Sequence, residues 1–316
     1  MQINLMIEGQ EDVTWEQWTQ IGNACDAHLE GLFRSDHYAS VVGRAERGSL
    51  DAWTTLAGLA AITTRVRLGT LVSPVTFRHP SVIAKCVATA DHVSGGRVEL
   101  GLGAGWLADE HASYGFEFPH MSHRIGQLSE QLEIVHRQWT TEEPFDFEGA
   151  HYRLEACEAR PKPLQRPHPP IIVGGSAGSR SVELAARWAD EYNTIFASVD
   201  ECRARRERVM RALEAEGREP QGFRFSLMTG VVAGGSEREV LERASRIMEL
   251  GGESGDPRPW LASLASEWVT GTAGEVVERL GKLEEAGVER VMLQNQLHAD
   301  LDVIAFLGEE VRPQLG

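Results

Sequence analysis

Eight short apolar runs recur along the chain, and between them the apolar positions fall at helical spacing. The runs are QINLMI (2–7), GLFRSD (31–36), VRLGTLV (66–72), RVELGLG (97–103), PIIVGG (170–175), YNTIFA (192–197), FRFSLMTGVV (223–232) and ERVMLQN (289–295). Such runs predict strands, and the amphipathic stretches between them predict helices with legible starts. Thr14 with Gln17, Ser236 with Glu239 and Thr272 with Glu275 each fit a capping box: a hydroxyl at the N-cap, a carboxylate or amide three residues on. Pro80 opens a helix over 81–93, where its missing N–H costs little, and Gly95 and Gly96 end it.

Repeated strand–helix units imply a parallel sheet covered by helices. Eight of them predict an α/β fold closed as a (β/α)8 barrel, with a doubly wound open sheet as the alternative. The pattern breaks at 141–169, which is rich in Pro, Gly and charge around a hairpin-like FDFEGAHYRL, and again at 252–269. Both read as insertions, after strands four and seven, in a single domain over 1–316. A barrel keeps its chemistry on the loops at the carboxyl ends of its strands. That directs attention to 35–38, 73–80, 103–111, 174–180, 196–200 and the strand-eight end at Gln294, Asn295 and Gln296.

Composition narrows the partners. The chain has 316 residues, 42% of them hydrophobic and 25% charged, which suits a large packed core. Its net charge of −16 repels polyanions, so nucleic acid is not expected. No apolar run reaches the roughly 18 residues of a membrane helix, and MQINLMIEGQEDV lacks the basic start of a secretory signal. Cys25, Cys86, Cys157 and Cys202 are scattered without a C-x-x-C spacing, so buried, reduced thiols and a cytoplasmic location are expected. His120 and His123 form no zinc-ligand set with other residues, so no metal is expected.

Several loops could carry chemistry. The stretch GLGAGWLADEH has G-x-G-x-G, with Trp106 where a dinucleotide-binding fingerprint needs glycine, so that fingerprint is rejected. Bare backbone at Gly103, Ala104 and Gly105 would let a flat ligand lie close, with Trp106 as a wall; tight strand–helix packing explains it equally well. The run GGSAGSR (174–180) joins a strand to a helix. Its free N–H groups suit a phosphate, to which Arg180 could add charge. Asp36 and His37 end strand two, where a histidine can move a proton near neutral pH. Ser73 and Pro74 interrupt strand three, as a bulge would.

Taken together, RSDHY, DAWTTLAGLAAITTRVRLGTLVSPVTFRHP, ATADHVSGGRVELGLGAGWLADEH, PKPLQRPHPPIIVGGSAGSR and LAARWADEYN resemble, in order, the bacterial luciferase-like superfamily of flavin and deazaflavin oxidoreductases. The similarity covers most of 1–195 and is nearest to the actinobacterial branch dependent on coenzyme F420.

The resemblance implies a TIM barrel with the cofactor ring at the strand carboxyl ends. Asp36 and His37 match the pair lining the deazaflavin, with His37 catalytic. Leu71, Val72, Ser73 and Pro74 match a bulge, often with a non-prolyl cis peptide, behind the ring. Ala104, Gly105 and Asp109 match ring and side-chain contacts, and Gly174, Gly175, Ser176, Gly178 and Ser179 the phosphate loop. Trp106 and Tyr38 would wall a substrate pocket shaped by the insertions. Trp106 stands where related dehydrogenases have a catalytic glutamate, which points away from sugar-phosphate oxidation and toward an apolar or aromatic acceptor.

The implied function is F420H2-dependent hydride transfer to a small organic molecule. The alternatives are an FMN-dependent monooxygenase and a non-catalytic flavin-binding protein. A reductase supplying the reduced cofactor and a homodimer through the apolar 52–62 region are the expected partners. Arg78, Arg124 and Arg180 are candidate cations for the F420 glutamyl tail.

Overall fold

The structure, a computed structural model, describes all residues except 42, 43, 45 and 316. Eight parallel strands close on themselves: β1 (Gln2–Ile7), β2 (Gly31–Arg34), β3 (Arg67–Thr70), β4 (Val98–Gly103), β5 (Ile171–Gly174), β6 (Glu191–Ile195), β7 (Arg224–Ala233) and β8 (Arg290–Gln294). Closure is made by β8, which pairs with β7 at Met292 and Met228 and with β1 at Leu293 and Leu5. The closed barrel expected from the eight apolar runs is therefore present, and the open sheet is not.

Helices α1 (Trp15–His28), α2 (Ala52–Ile62), α3 (Pro80–Ser94), α4 (Ala108–Tyr114), α5 (Met121–Thr140), α6 (Ser179–Trp188), α7 (Val199–Ala215), α8 (Glu237–Leu250), α9 (Pro257–Leu264), α10 (Ala273–Glu285) and α11 (Asp302–Phe306) follow the strands. Thr14 and Gln17 cap α1 reciprocally, as do Thr272 and Glu275 at α10. At α8, Ser236 caps but Glu239 reaches the Gly235 N–H instead of that of Ser236. A box overlooked in the sequence, Ser198 with Glu201, starts α7. Gly95, in the left-handed region at φ 69°, ends α3.

The barrel interior has two layers of opposite character. Near the strand starts, Arg290 bonds Glu99 (2.5 Å) and Glu191 (2.8 Å), and Arg67 pairs with Glu99. Burial would raise the Glu99 carboxyl, but the two guanidiniums outweigh it and hold it below the usual range. Above this layer, Met6, Phe33, Leu71, Ile172, Met228 and Met292 form an apolar cluster. The mouth therefore has a hydrophobic floor.

The irregular segments differ in position. Within 141–169 an antiparallel hairpin, Phe145–Glu148 with Arg153–Cys157, packs Phe145 and Phe147 on Ile134 of α5. Its turn is held by Glu130, which accepts the N–H groups of Ala150, His151 and Tyr152. The hairpin thus lies along α5, and Tyr152 of its turn comes within 5.3 Å of the His79 ring at the start of α3. The 252–269 segment holds α9 and Trp268 and lines a cavity at the strand carboxyl ends.

One further expectation is corrected. Cys25 and Cys202 are buried, but Cys86 and Cys157 only half so. The apolar 52–62 stretch is spent mainly inside the chain, where Trp53, Leu56, Leu59 and Ala60 are buried; Ile62, with Val82 and Val93 of α3, stays exposed.

Candidate active site

The carboxyl end of β2 delivers Asp36 and His37 to different partners, because consecutive strand residues point opposite ways. Asp36 is buried and spends its carboxylate on protein: it accepts from the Ser73 hydroxyl (2.5 Å) and from Arg78 (2.5 and 3.2 Å). Arg78 also bonds Asp51 at 2.6 Å. Asp36 therefore anchors the β3 bulge to β2. Tyr38 is equally committed: its ring packs on Phe77, Tyr114 and Phe116, its hydroxyl meets Asp51 and Arg78, and burial pushes its phenol up to about 12.

His37 faces the mouth. Its Nδ1 lies 2.8 Å from Glu110 Oε2 on α4, and its ring meets the edge of Trp106 at 5.6 Å. The other Glu110 oxygen accepts the backbone N–H groups of Tyr38 and Ala39, so this buried carboxylate is locked in place. Burial alone would lower the His37 pKa; the hydrogen bond and charge of Glu110, aided by Glu8 and Asp36, outweigh it and raise it. Glu110 is held below its usual range by the same pair and by its two backbone donors, although its own burial opposes this. Sequence reasoning quoted the stretch containing Glu110 and passed over it: 73 positions separate it from His37, and nothing in the local pattern links them.

The β3 bulge explains the glycines. The peptide between Leu71 and Val72 is cis, and Ser73 and Pro74 then pair with Leu102 and Gly103 of β4. Val72 projects between β4 and β5: a Cβ on Gly103 would sit 2.6 Å from its Cγ2, and one on Gly174 3.1 Å from its Cγ1. So Gly103 and Gly174 converge on one rim, with Val72 between them. Gly105 has φ 77°, which favours glycine, and it leaves Trp106 exposed beside His37.

Beyond Gly174, Ala177 N–H bonds the Tyr192 hydroxyl at 2.8 Å, and Gly178 is the N-cap of α6 with no capping side chain. The first intrahelical bond there is from Val182 N–H to Gly178 O, which leaves the N–H groups of residues 179–181 directed outward. Ser176, Ser179 and Arg180 are exposed at this end, and Asp109 is exposed across the mouth. Of the candidate tail cations, Arg78 is engaged as above and Arg124 lies over Phe118 and bonds Pro119 O; only Arg180 is open. His120 caps α5, accepting the Ser122 N–H. Among the described residues no cluster of three metal-ligating side chains occurs, and no helix is long and apolar enough to cross a membrane.

A cavity of about 620 Å³ opens between the carboxyl ends of β1 and β8 and helices α8 and α9. One wall is apolar, formed by Ile247, Met248, Trp260, Leu264 and Trp268. Glu8, which follows β1, stands in the opposite wall, and its charge contributes to the raised His37 value.

The arrangement is a parallel barrel with the His37–Glu110 pair, an apolar floor and a helix N-terminus without a capping side chain around one mouth. Residues 27–290 match the family model for the luciferase-like monooxygenases, and the chain belongs to that family. It is 28% identical over 318 residues, 92% of this chain and 90% of the relative, to an F420-dependent glucose-6-phosphate dehydrogenase of Nakamurella multipartita. Over 152 residues it is 37% identical to an uncharacterised protein of Mycobacterium bovis, covering 48% of this chain and 52% of that one, so the chain spans about half the length of that relative. A monooxygenase from Streptomyces bottropensis has the same fold, with a TM-score of 0.83 and 21% identity over 99% of each chain.

Proposed function

We propose that the chain is an oxidoreductase that holds a deazaflavin, coenzyme F420, in the barrel mouth and reduces a small organic acceptor. The observation that carries this is the convergence of the Val72 bulge, the bare backbone of residues 103–105 and the open N–H groups of residues 179–181 on one rim, with the His37–Glu110 pair beside it. The residues fit the group: the apolar cluster with Val72 supports a flat ring, and the α6 N-terminus accepts a phosphate. A bound deazaflavin supplies hydride transfer without activating oxygen. Val72, backed by Leu71, orients the ring. Asp36 and Arg78 hold the bulge that carries Val72. His37, kept protonated to higher pH by Glu110, delivers a proton from Nε2 to the acceptor as hydride arrives. Water is excluded from the floor by the methionines and Phe33.

An FMN-dependent monooxygenase is the second reading, favoured by the family model and by the Streptomyces monooxygenase; FMN would bring its phosphate to the same helix end. The homodimer belongs to the proposal too, through Ile62, Val82 and Val93. Reduction of an activated cyclic alkene with F420H2, measured with wild type and His37→Ala, tests the reading. A fall of about 100-fold or more in kcat for His37→Ala is expected. Equal rates in the two proteins would refute the role of His37, and consumption of oxygen with reduced FMN alone would favour the second reading.

A further inference from the structure

We propose that the 620 Å³ cavity beside the mouth takes an apolar ring bearing a hydroxyl or amine donor, that Glu8 reads that donor, and that phosphorylated molecules are excluded. This rests on the reading of the mouth as a cofactor site, since it makes the cavity the substrate's place.

The apolar wall comes first. Trp260 and Trp268 meet edge to face at 5.9 Å, and Trp268 in turn stacks near Phe196 at 6.4 Å. With Leu264, Ile247 and Met248 they present a broad hydrophobic surface, which a ring can cover and a sugar phosphate cannot exploit. The position of Trp268 is built into the barrel, because Gly230 of β7 leaves room for its indole: a Cβ there would lie 2.3 Å from the ring.

The opposite wall is acidic. Glu8, Glu11, Asp12 and Glu253 line the cavity, against the single guanidinium of Arg47, which is already bonded to Glu11 at 2.7 Å. Arg44, near the edge, donates to Leu250 O. Burial, with Arg47 nearby, holds His298 below its usual value, so it adds no positive charge at neutral pH. The undescribed residues of the adjoining loop are Val42, Gly43 and Ala45, which carry no charge. Among the described residues, a phosphate entering here meets mostly like charge: Arg47 is paired with Glu11, and Arg44 stands only at the edge.

Glu8 differs from its acidic neighbours. It is oriented by neutral amides only: Gln294 donates to Oε1 at 2.5 Å and Gln10 to Oε2 at 2.7 Å. Each carboxylate oxygen has a second acceptor site, and among the described residues no ion pair engages them. The result is a fixed acceptor at the junction between the cavity and His37, placed to hold a donor-bearing ring with its far side against the tryptophans.

The test uses three probes of one skeleton, 2-phenylethylamine, 2-phenylethanol and 2-phenylethyl phosphate, titrated into the purified chain in the presence of excess F420, which fills the mouth, and followed by calorimetry. The amine and the alcohol are expected to bind, and the phosphate at least about tenfold more weakly. Glu8→Gln should weaken the amine about tenfold and narrow the gap to the phosphate. Trp260→Ala, on a half-buried helix, should weaken all three alike, which separates ring binding from donor reading. Tighter binding of the phosphate, or a Glu8→Gln protein that folds normally and ranks the probes as wild type does, overturns the proposal. A separate F420 titration distinguishes the two failures: if it shows no binding while the probe order holds, the cofactor reading falls and the cavity's selectivity stands.

Discussion

At the residue scale the site turns on one pair. His37 and Glu110 shift in opposite directions, and the sign of each sets a pH window. The His37 pKa is raised, so its contribution to stability is complete below the ordinary histidine value and is lost as pH rises through the raised one. The Glu110 pKa is lowered, so its contribution is present above the ordinary glutamate value and is lost as pH falls through the lowered one. Together they stabilise most between about pH 4.3 and 6.5. Melting temperatures of wild type and Glu110→Gln should therefore differ most inside that window, differ less above it, where the bonds from Tyr38 and Ala39 to Glu110 persist, and converge below it. The same variant should move the alkaline limb of the reduction profile to lower pH, because burial is then free to depress His37. An unchanged limb would mean that His37 is not the proton donor.

At the element scale, the β3 bulge and the α6 terminus divide the cofactor between them. Gly103→Ala should cost about 1–3 kcal/mol, since its methyl would press Val72 out of the rim, and Gly174→Ala less, since its contact is looser. Urea denaturation orders the two. A Cβ at Gly178 meets open space, so Gly178→Asp should fold; its carboxylate would cap α6, occupy the N–H groups meant for phosphate and repel it. Cofactor affinity should fall about tenfold or more while stability holds or rises.

These elements also show what could be read before folding. Strand and helix order was legible because each run had to be apolar to fill a barrel, and the loops worth watching followed from that order. The work of Gly103 was legible only as small volume; that the volume receives Val72 depends on a contact across strands. Glu110 was invisible for the same reason, as one acid in an ordinary helix start. Glu8 carried no signal of its own, because its meaning comes from Gln294, far along the chain. The hairpin at 145–157 was legible as a hairpin, but not the anchorage of its turn on Glu130.

At the scale of the molecule, stability and function sit at opposite ends of the barrel. Arg290 pairs with both Glu99 and Glu191 in the closed interior, so Arg290→Met would leave Glu191 unpaired and Glu99 with Arg67 alone, and should cost about 3–5 kcal/mol in denaturant. Any folded fraction should bind cofactor as wild type does, because that layer lies below the Phe33 and methionine floor. Arg180 is an open cation by the phosphate loop of a chain whose net charge is −16, so affinity for an anionic cofactor should rest chiefly on the α6 backbone and depend only modestly on salt.

The most direct test is a titration of the purified chain with F420, followed through the cofactor's fluorescence. The account predicts saturation at one site per chain, and its contradiction would be a signal that never saturates.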